Sequence, residues 1–191
     1  MGTFQGSITS EKLRADEHSA FRDEARAVRA EIAKLVHGVK EVEKSLCDRA
    51  IKDFLDAAAA ELHALGFIVR QDAEELEAEY EGRVSYDFII DGHQIEVSKR
   101  QLPTERFLLS FRFRDAPPTR KIPTDLDELA LDGASLEEDR RELHYWKHVA
   151  ETLPTAAPIY VAQWPDRRHA EFTGIDPLLE FLCRDNWSTQ L

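Results

Sequence analysis

Sulfur is what this chain has least of, and its basic residues are well outnumbered by acidic ones. Its 191 residues include two cysteines and one methionine. Cys47 and Cys183 stand far apart in no metal-type spacing, so a reduced, cytoplasmic protein is the simplest reading. No apolar run approaches the ~18–20 residues that cross a bilayer, and no membrane association is expected. The opening MGTFQGSITSEK has neither a basic nor an apolar leader region, so it does not read as a signal peptide. There are 25 basic residues against 37 acidic ones, a net charge of −12. That balance argues against direct nucleic-acid binding by the surface as a whole. A Gly-rich phosphate loop, a GxSxG serine and an HExxH zinc motif are all missing.

Charge is nevertheless uneven. Residues 1–81 have a net charge of −7, residues 82–124 of +3 and residues 125–191 of −8. The basic island in the middle either docks a partner or pairs with acidic neighbours.

Apolar residues make up 42% of the chain, enough for a core. The most regular signal is Phe21, Ala25, Val28, Ile32, Leu35, Val39, Val42 and Leu46, spaced alternately by four and three. This is an a/d heptad seam, and it predicts a long, coiled-coil-like N-terminal helix. The seam has two possible occupants: a partner helix, homomeric or from another protein, or another helix of the same chain. Beyond Leu46 the stripe widens through Ala50, Ile51, Phe54, Leu55, Ala58 and Leu62, as for a helix meeting a core. A break near Gly38 or Ser45 is possible, and Gly66 ends the helix. The expected division is a helical arm at 1–48 for assembly or partner binding, then an α+β globular domain at 49–191.

Several strands follow. Phe67-Ile68-Val69 begins one. Residues 73–81 read as strand by strict alternation or as helix by composition. VSYDFII and HQIEVSK flank Asp91-Gly92, a dipeptide favoured in two-residue hairpins. With Asp91-Gly92 as the turn, Phe88 faces Ile95 and Asp87 faces Glu96. In RFLLSFRFRD, Phe107, Leu109, Phe111 and Phe113 share the core face, leaving Arg112 and Arg114 on the face of Asp87 and Glu96. A helix follows with the stripe Leu136, Leu143, Trp146, Ala150 and Leu153. IYVAQW is a buried strand, and Asp176-Pro177 opens a short helix. The predicted fold is α+β: a long N-terminal helix, then an antiparallel sheet of four or more strands packed on helices.

Two carboxylates directly opposite on adjacent strands repel, so Asp87 and Glu96 invite an explanation. One is a bound cation. The order helix, LGF, strand, Asp87, hairpin, Glu96 resembles the restriction-endonuclease-like PD-(D/E)xK core over Ile51 to Arg100. The resemblance implies a nuclease using Mg or Mn on Asp87 and Glu96, with Lys99 as the candidate lysine. The family's lysine position is occupied by Ser98, and Lys99 points to the opposite face unless a bulge near Val97 brings it round. The other explanation is a solvated ladder of Glu77, Asp87 and Glu96 neutralised by Arg112 and Arg114. His144 and His148, at i and i+4, read as a polar helix face, and the turn WPDRRH as an exposed loop or a small anion contact. The favoured function is a non-catalytic accessory subunit needing no cofactor, which assembles through residues 20–46 and presents a charged body to a protein partner. The alternative is the metal-dependent nuclease, active or degenerate.

Overall fold

The computed structural model describes the backbone of residues 2–100, 105–113, 133–183 and 187, with side chains from residue 11 onward except 15 and 133–135. Arg114 and the prolines at 117, 118 and 123 lie outside the described residues. The elements are α1 (Gly2–Ala64), β1 (Ile68–Gln71), β2 (Glu75–Tyr80), β3 (Val84–Asp91), β4 (Gln94–Arg100), β5 (Glu105–Phe113), α2 (Gly133–Thr152), β6 (Pro158–Gln163), β7 (His169–Phe172) and α3 (Ile175–Leu182). The fold is α+β. No helix among the described residues is long and apolar enough to cross a membrane. The chain forms two units, Met1–Glu41 with Pro117–Leu153, and Val42–Ala116 with Pro154–Leu191. This division runs across α1 and puts α2 in one unit with the first part of that helix.

In the first unit the helix that bears the heptad seam is ion-paired to another helix of its own chain. Ala25, Ile32 and Val39 are buried, as are Val36 and Arg29, while Phe21, Val28 and Leu35 are half-buried. On α2, Leu136, Trp146 and Val149 are buried. Ion pairs join the two helices: Glu24 with Arg140, Arg29 with Asp139 at 2.7 Å, and Glu31 with Lys147 at 2.8 Å. The Glu24–Arg140 and Glu31–Lys147 pairs lie one heptad apart on both helices. The equal spacing in the same direction means that the two helices run parallel here. The sequence left two occupants open for the seam, and these ion pairs lay α2, a helix of the same chain, alongside α1.

α1 runs unbroken through Gly38 and Ser45. It stops at a Schellman motif, where the Gly66 N–H donates to His63 O and the Phe67 N–H to Leu62 O, both at 3.0 Å. That geometry requires the positive φ of 89° at Gly66.

In the second unit the sheet is a seven-stranded antiparallel meander in the order β1 to β7. Strand alternation puts Leu76, Ala78, Tyr86, Phe88, Ile95, Val97, Phe107, Leu109, Tyr160 and Ala162 on one face. That face forms the core with Ile51, Phe54, Leu55, Ala58 and Leu62 of α1, α3 and Trp187. Phe54 sits at its centre, with ring centroids 5.9 Å from Phe88 and 6.3 Å from Tyr160. Residues 75–80 are strand, so alternation outweighs helix propensity once a sheet edge is present to pair with. β7 was not anticipated; four residues are too short for a period to show. α3 begins earlier than expected, with Gly174 as N-cap and Pro177 inside the first turn.

The central hairpin is shifted from the predicted register. Asp91 pairs with Gln94, so the turn is Gly92-His93 rather than Asp91-Gly92. Gly92 has φ 61° and His93 is not at positive φ. A glycine first and an ordinary residue second is the pattern of a type II′ turn. Asp91 is released into the strand, and every cross-strand partner moves.

Candidate functional site

The sheet's second face is not covered by the core. It carries Arg70 on β1, Glu75, Glu77 and Glu79 on β2, Asp87 and Ile89 on β3, Glu96, Ser98 and Arg100 on β4, and Arg106, Leu108 and Arg112 on β5. The shifted register decides what these residues can do. Asp87 faces Ser98, and Glu96 faces Ile89. The predicted Asp87–Glu96 pairing is thus corrected, and the repulsion that called for a cation does not arise from it. Glu77 does face Asp87, as the expected ladder has it.

Asp87 is only 2% exposed although it lies on the open face. Its Oδ2 accepts from Arg100 Nε at 2.7 Å and from Ser98 Oγ at 3.2 Å. Its Oδ1 is buried and has no partner among the described residues. Arg100 rather than Arg112 therefore neutralises Asp87. Arg112 instead pairs with Glu171 of β7 at 2.7 Å, and Glu77 with Arg70 at 3.5 Å. Arg114 lies outside the described residues.

Lys99 is on the other face. The β3–β4 ladder is continuous from Ser85↔Arg100 to Asp91↔Gln94, with no bulge at Val97 to turn it. Its buried ammonium lies 5.6 Å from the Tyr86 ring centroid and 5.7 Å from that of Trp187. Its cross-strand neighbour Glu105 accepts the Trp187 backbone N–H at 3.1 Å. Lys99 is accordingly part of the core's polar rim, held over aromatic faces. Asp87, Glu96 and Lys99 do not converge. The strand that follows them, β5, also departs from the helix that the nuclease core would place there. No group of metal-ligating side chains forms among the described residues. His144 and His148 are both exposed on α2.

What the open face does hold is exposed apolar surface and a groove. Ile68, Ile89 and Leu108 are exposed there, Ile89 at 45% and Leu108 at 41%. Ile89, Glu96 and Leu108 are direct cross-strand neighbours in one row. Beside that row a groove of about 390 Å³ is lined by Glu96, Arg106, Leu108, Gln163, Trp164 and Arg167, among others. The side chains of Glu96, Arg106 and Arg167 make no ion pair or hydrogen bond among the described residues. The indole N–H of Trp164 is also buried, with no acceptor among the described residues.

The turn that brings Arg167 to the groove is tightly built. The Arg167 N–H donates to Trp164 O at 3.0 Å, and the Trp164 N–H to Arg168 O at 2.9 Å. Arg167 adopts φ 71°, a left-handed conformation that glycine accepts without strain and arginine does not. The neighbouring Arg168 donates from Nε to Asp166 at 2.7 Å, which holds the Asp166 carboxyl below the usual carboxylate range. Arg168 is thus occupied, and Arg167 is the arginine left free. The signal for this site was the WPDRRH turn, but its distance from Glu96 and Arg106 in sequence concealed the partners.

Comparison with protein-family models, with curated proteins and with solved structures returned no match.

Proposed function

We propose that this chain is a non-catalytic accessory subunit that docks a protein partner on the open face of its sheet. The observation that supports the reading is the asymmetry of that sheet. One face is filled by the chain's own helices, while the other leaves Ile68, Ile89 and Leu108 exposed among charged side chains. Exposed aliphatics rimmed by charge are the composition of a protein-interaction surface. The arrangement of charge selects protein over nucleic acid. An acidic strip on β2 (Glu75, Glu77, Glu79) lies beside arginines on β4 and β5 (Arg100, Arg106, Arg112). A phosphate backbone attracted to the second strip meets repulsion from the first. A protein segment can supply both signs and cover the aliphatics as well.

The N-terminal seam is the weaker candidate for docking, since α2 already lies alongside that helix. The function asks for no metal or cofactor and is compatible with a reducing cytoplasm, both cysteines being free thiols. Panning a random peptide display library against the purified chain tests the reading. Enriched peptides are expected to combine aliphatic residues with charge and to lose binding to an Ile89→Asp/Leu108→Asp variant. A library that yields no enriched peptide, or peptides that bind the variant equally, refutes the assignment.

A further inference from the structure

We propose that the groove beside Arg106 and Arg167 is a recognition site for a carboxylate borne next to an apolar side chain. The inference rests on the docking role of the open face and names the chemistry of its anchor. Three features lead to it.

The first is charge. The groove has two guanidiniums and one carboxylate with no internal partner, a net charge of +1. That balance suits a monoanion. A phosphate dianion would exceed it and would also face Glu96. Guanidinium forks match the planar carboxylate, which takes two parallel N–H donors. The second is the apolar wall, formed by Leu108, Trp164 and Pro165, against which a side chain can lie. The third is Glu96, an unpaired acceptor set opposite the arginines' chemistry and suited to an amide N–H of the ligand. Carboxylate, apolar side chain and N–H donor together are the last residue of a peptide. A volume of about 390 Å³ accommodates a fragment of that size, at the lower end of the roughly 300–1,000 Å³ range of ligand pockets.

Arg167 adds a separate reason. Its positive φ is a cost that glycine at this turn position would remove. Strain of this kind persists where the side chain is needed. Arg167 is the arginine of the turn whose charge has no partner, while its neighbour Arg168 is tied to Asp166.

The test is a titration of the full chain with N-acetyl-leucine, N-acetyl-leucinamide and inorganic phosphate. It is read from the Trp164 indole N–H in ¹H–¹⁵N correlation spectra, the same spectra showing that each variant is folded. N-acetyl-leucine is expected to shift this resonance saturably, and the amide to bind at least about tenfold more weakly, because the charge-assisted hydrogen bonds are lost. Phosphate is expected to bind more weakly than N-acetyl-leucine. Arg106→Gln and Arg167→Gln are each expected to weaken N-acetyl-leucine by about tenfold on the same grounds. The source of the carboxylate is separated by two hexapeptides, one ending in a free leucine carboxylate and one C-terminally amidated with an internal glutamate. Tighter binding of the first assigns a chain terminus, and tighter binding of the second an acidic side chain. Equal binding of acid and amide, no effect of either arginine variant, or no saturable shift overturns the proposal. If display-selected peptides still depend on Ile89 and Leu108 while both arginine variants bind as wild type, the groove assignment fails and the docking face stands. If N-acetyl-leucine binds but no peptide is enriched, the docking face fails instead.

Discussion

Removing Asp139 tests whether the heptad seam is closed within the chain. Asp139 Oδ2 lies 2.7 Å from Arg29 Nε, with side chains 17% and 8% exposed. Unit charges about 4 Å apart attract by ~4 kcal/mol at an effective dielectric of about 20. Desolvation offsets much of that attraction while the pair is intact, but it becomes a net penalty once one partner is lost. Fully buried pairs broken this way cost about 3–5 kcal/mol. Asp139 is partly exposed and Arg29 has further interactions, so Asp139→Ala is expected to cost about 2–3 kcal/mol, below that range. The double variant Arg29→Met/Asp139→Leu is expected to lie within about 1 kcal/mol of wild type, since no charge is stranded. Urea unfolding followed by circular dichroism gives both values, and hydrogen exchange in α2 shows that the loss is local to this unit. A single variant that costs under about 0.5 kcal/mol, with α2 protection unchanged, refutes the buried pairing. The seam at Ala25, Ile32 and Val39 would then be open to a partner helix after all.

Phe54→Ala should cost about 3–5 kcal/mol in urea unfolding, because Phe88 and Tyr160 lose their shared contact and a cavity remains. Gly92→Ala should cost about 1 kcal/mol from backbone strain alone, since an added Cβ meets nothing within 4 Å. Ellman titration should modify Cys183, which is exposed, before Cys47, whose buried thiol is pushed up to about 11 and becomes accessible only on unfolding. Burial also pushes the Tyr160 hydroxyl up to about 12 from an ordinary 10. The unfolded chain therefore releases this proton first, and stability should fall as pH rises from about 10 towards 12. The loss should be smaller in Tyr160→Phe, measured against that variant's own neutral-pH stability.

Much of the fold was legible because it is written in short-range periods. The four-three spacing of α1, the alternation of β2 and β5 and the glycine at Gly66 each express a local rule. Both halves of the helical pairing were also visible, in the seam from Phe21 and in the stripe Leu136, Leu143, Trp146, Ala150 and Leu153. Their pairing with each other was not, because a heptad states that it needs a partner without identifying one. The hairpin shows how narrow the margin was. Asp-Gly and Gly-His are both workable turns one residue apart, and choosing between them changes the partner of Asp87 from Glu96 to Ser98. Alternation survived that choice, so the faces were right although the pairs were not. Arg106, Glu96 and Arg167 meet only because β4, β5 and the β6–β7 turn are brought side by side, which no local pattern encodes.

Phe113 and Pro158 are paired neighbours at the ends of β5 and β6, yet residues 114–157 lie between them in sequence. The chain leaves the meander and returns to the point it left, as a guest segment does within a host. Closing such an excursion costs only logarithmically more than closing a tight turn. The pairing of the two strand ends therefore sets little limit on the length of what lies between them. Because Phe113 and Pro158 are already paired, a change of length between them is closed at a junction the sheet itself holds together.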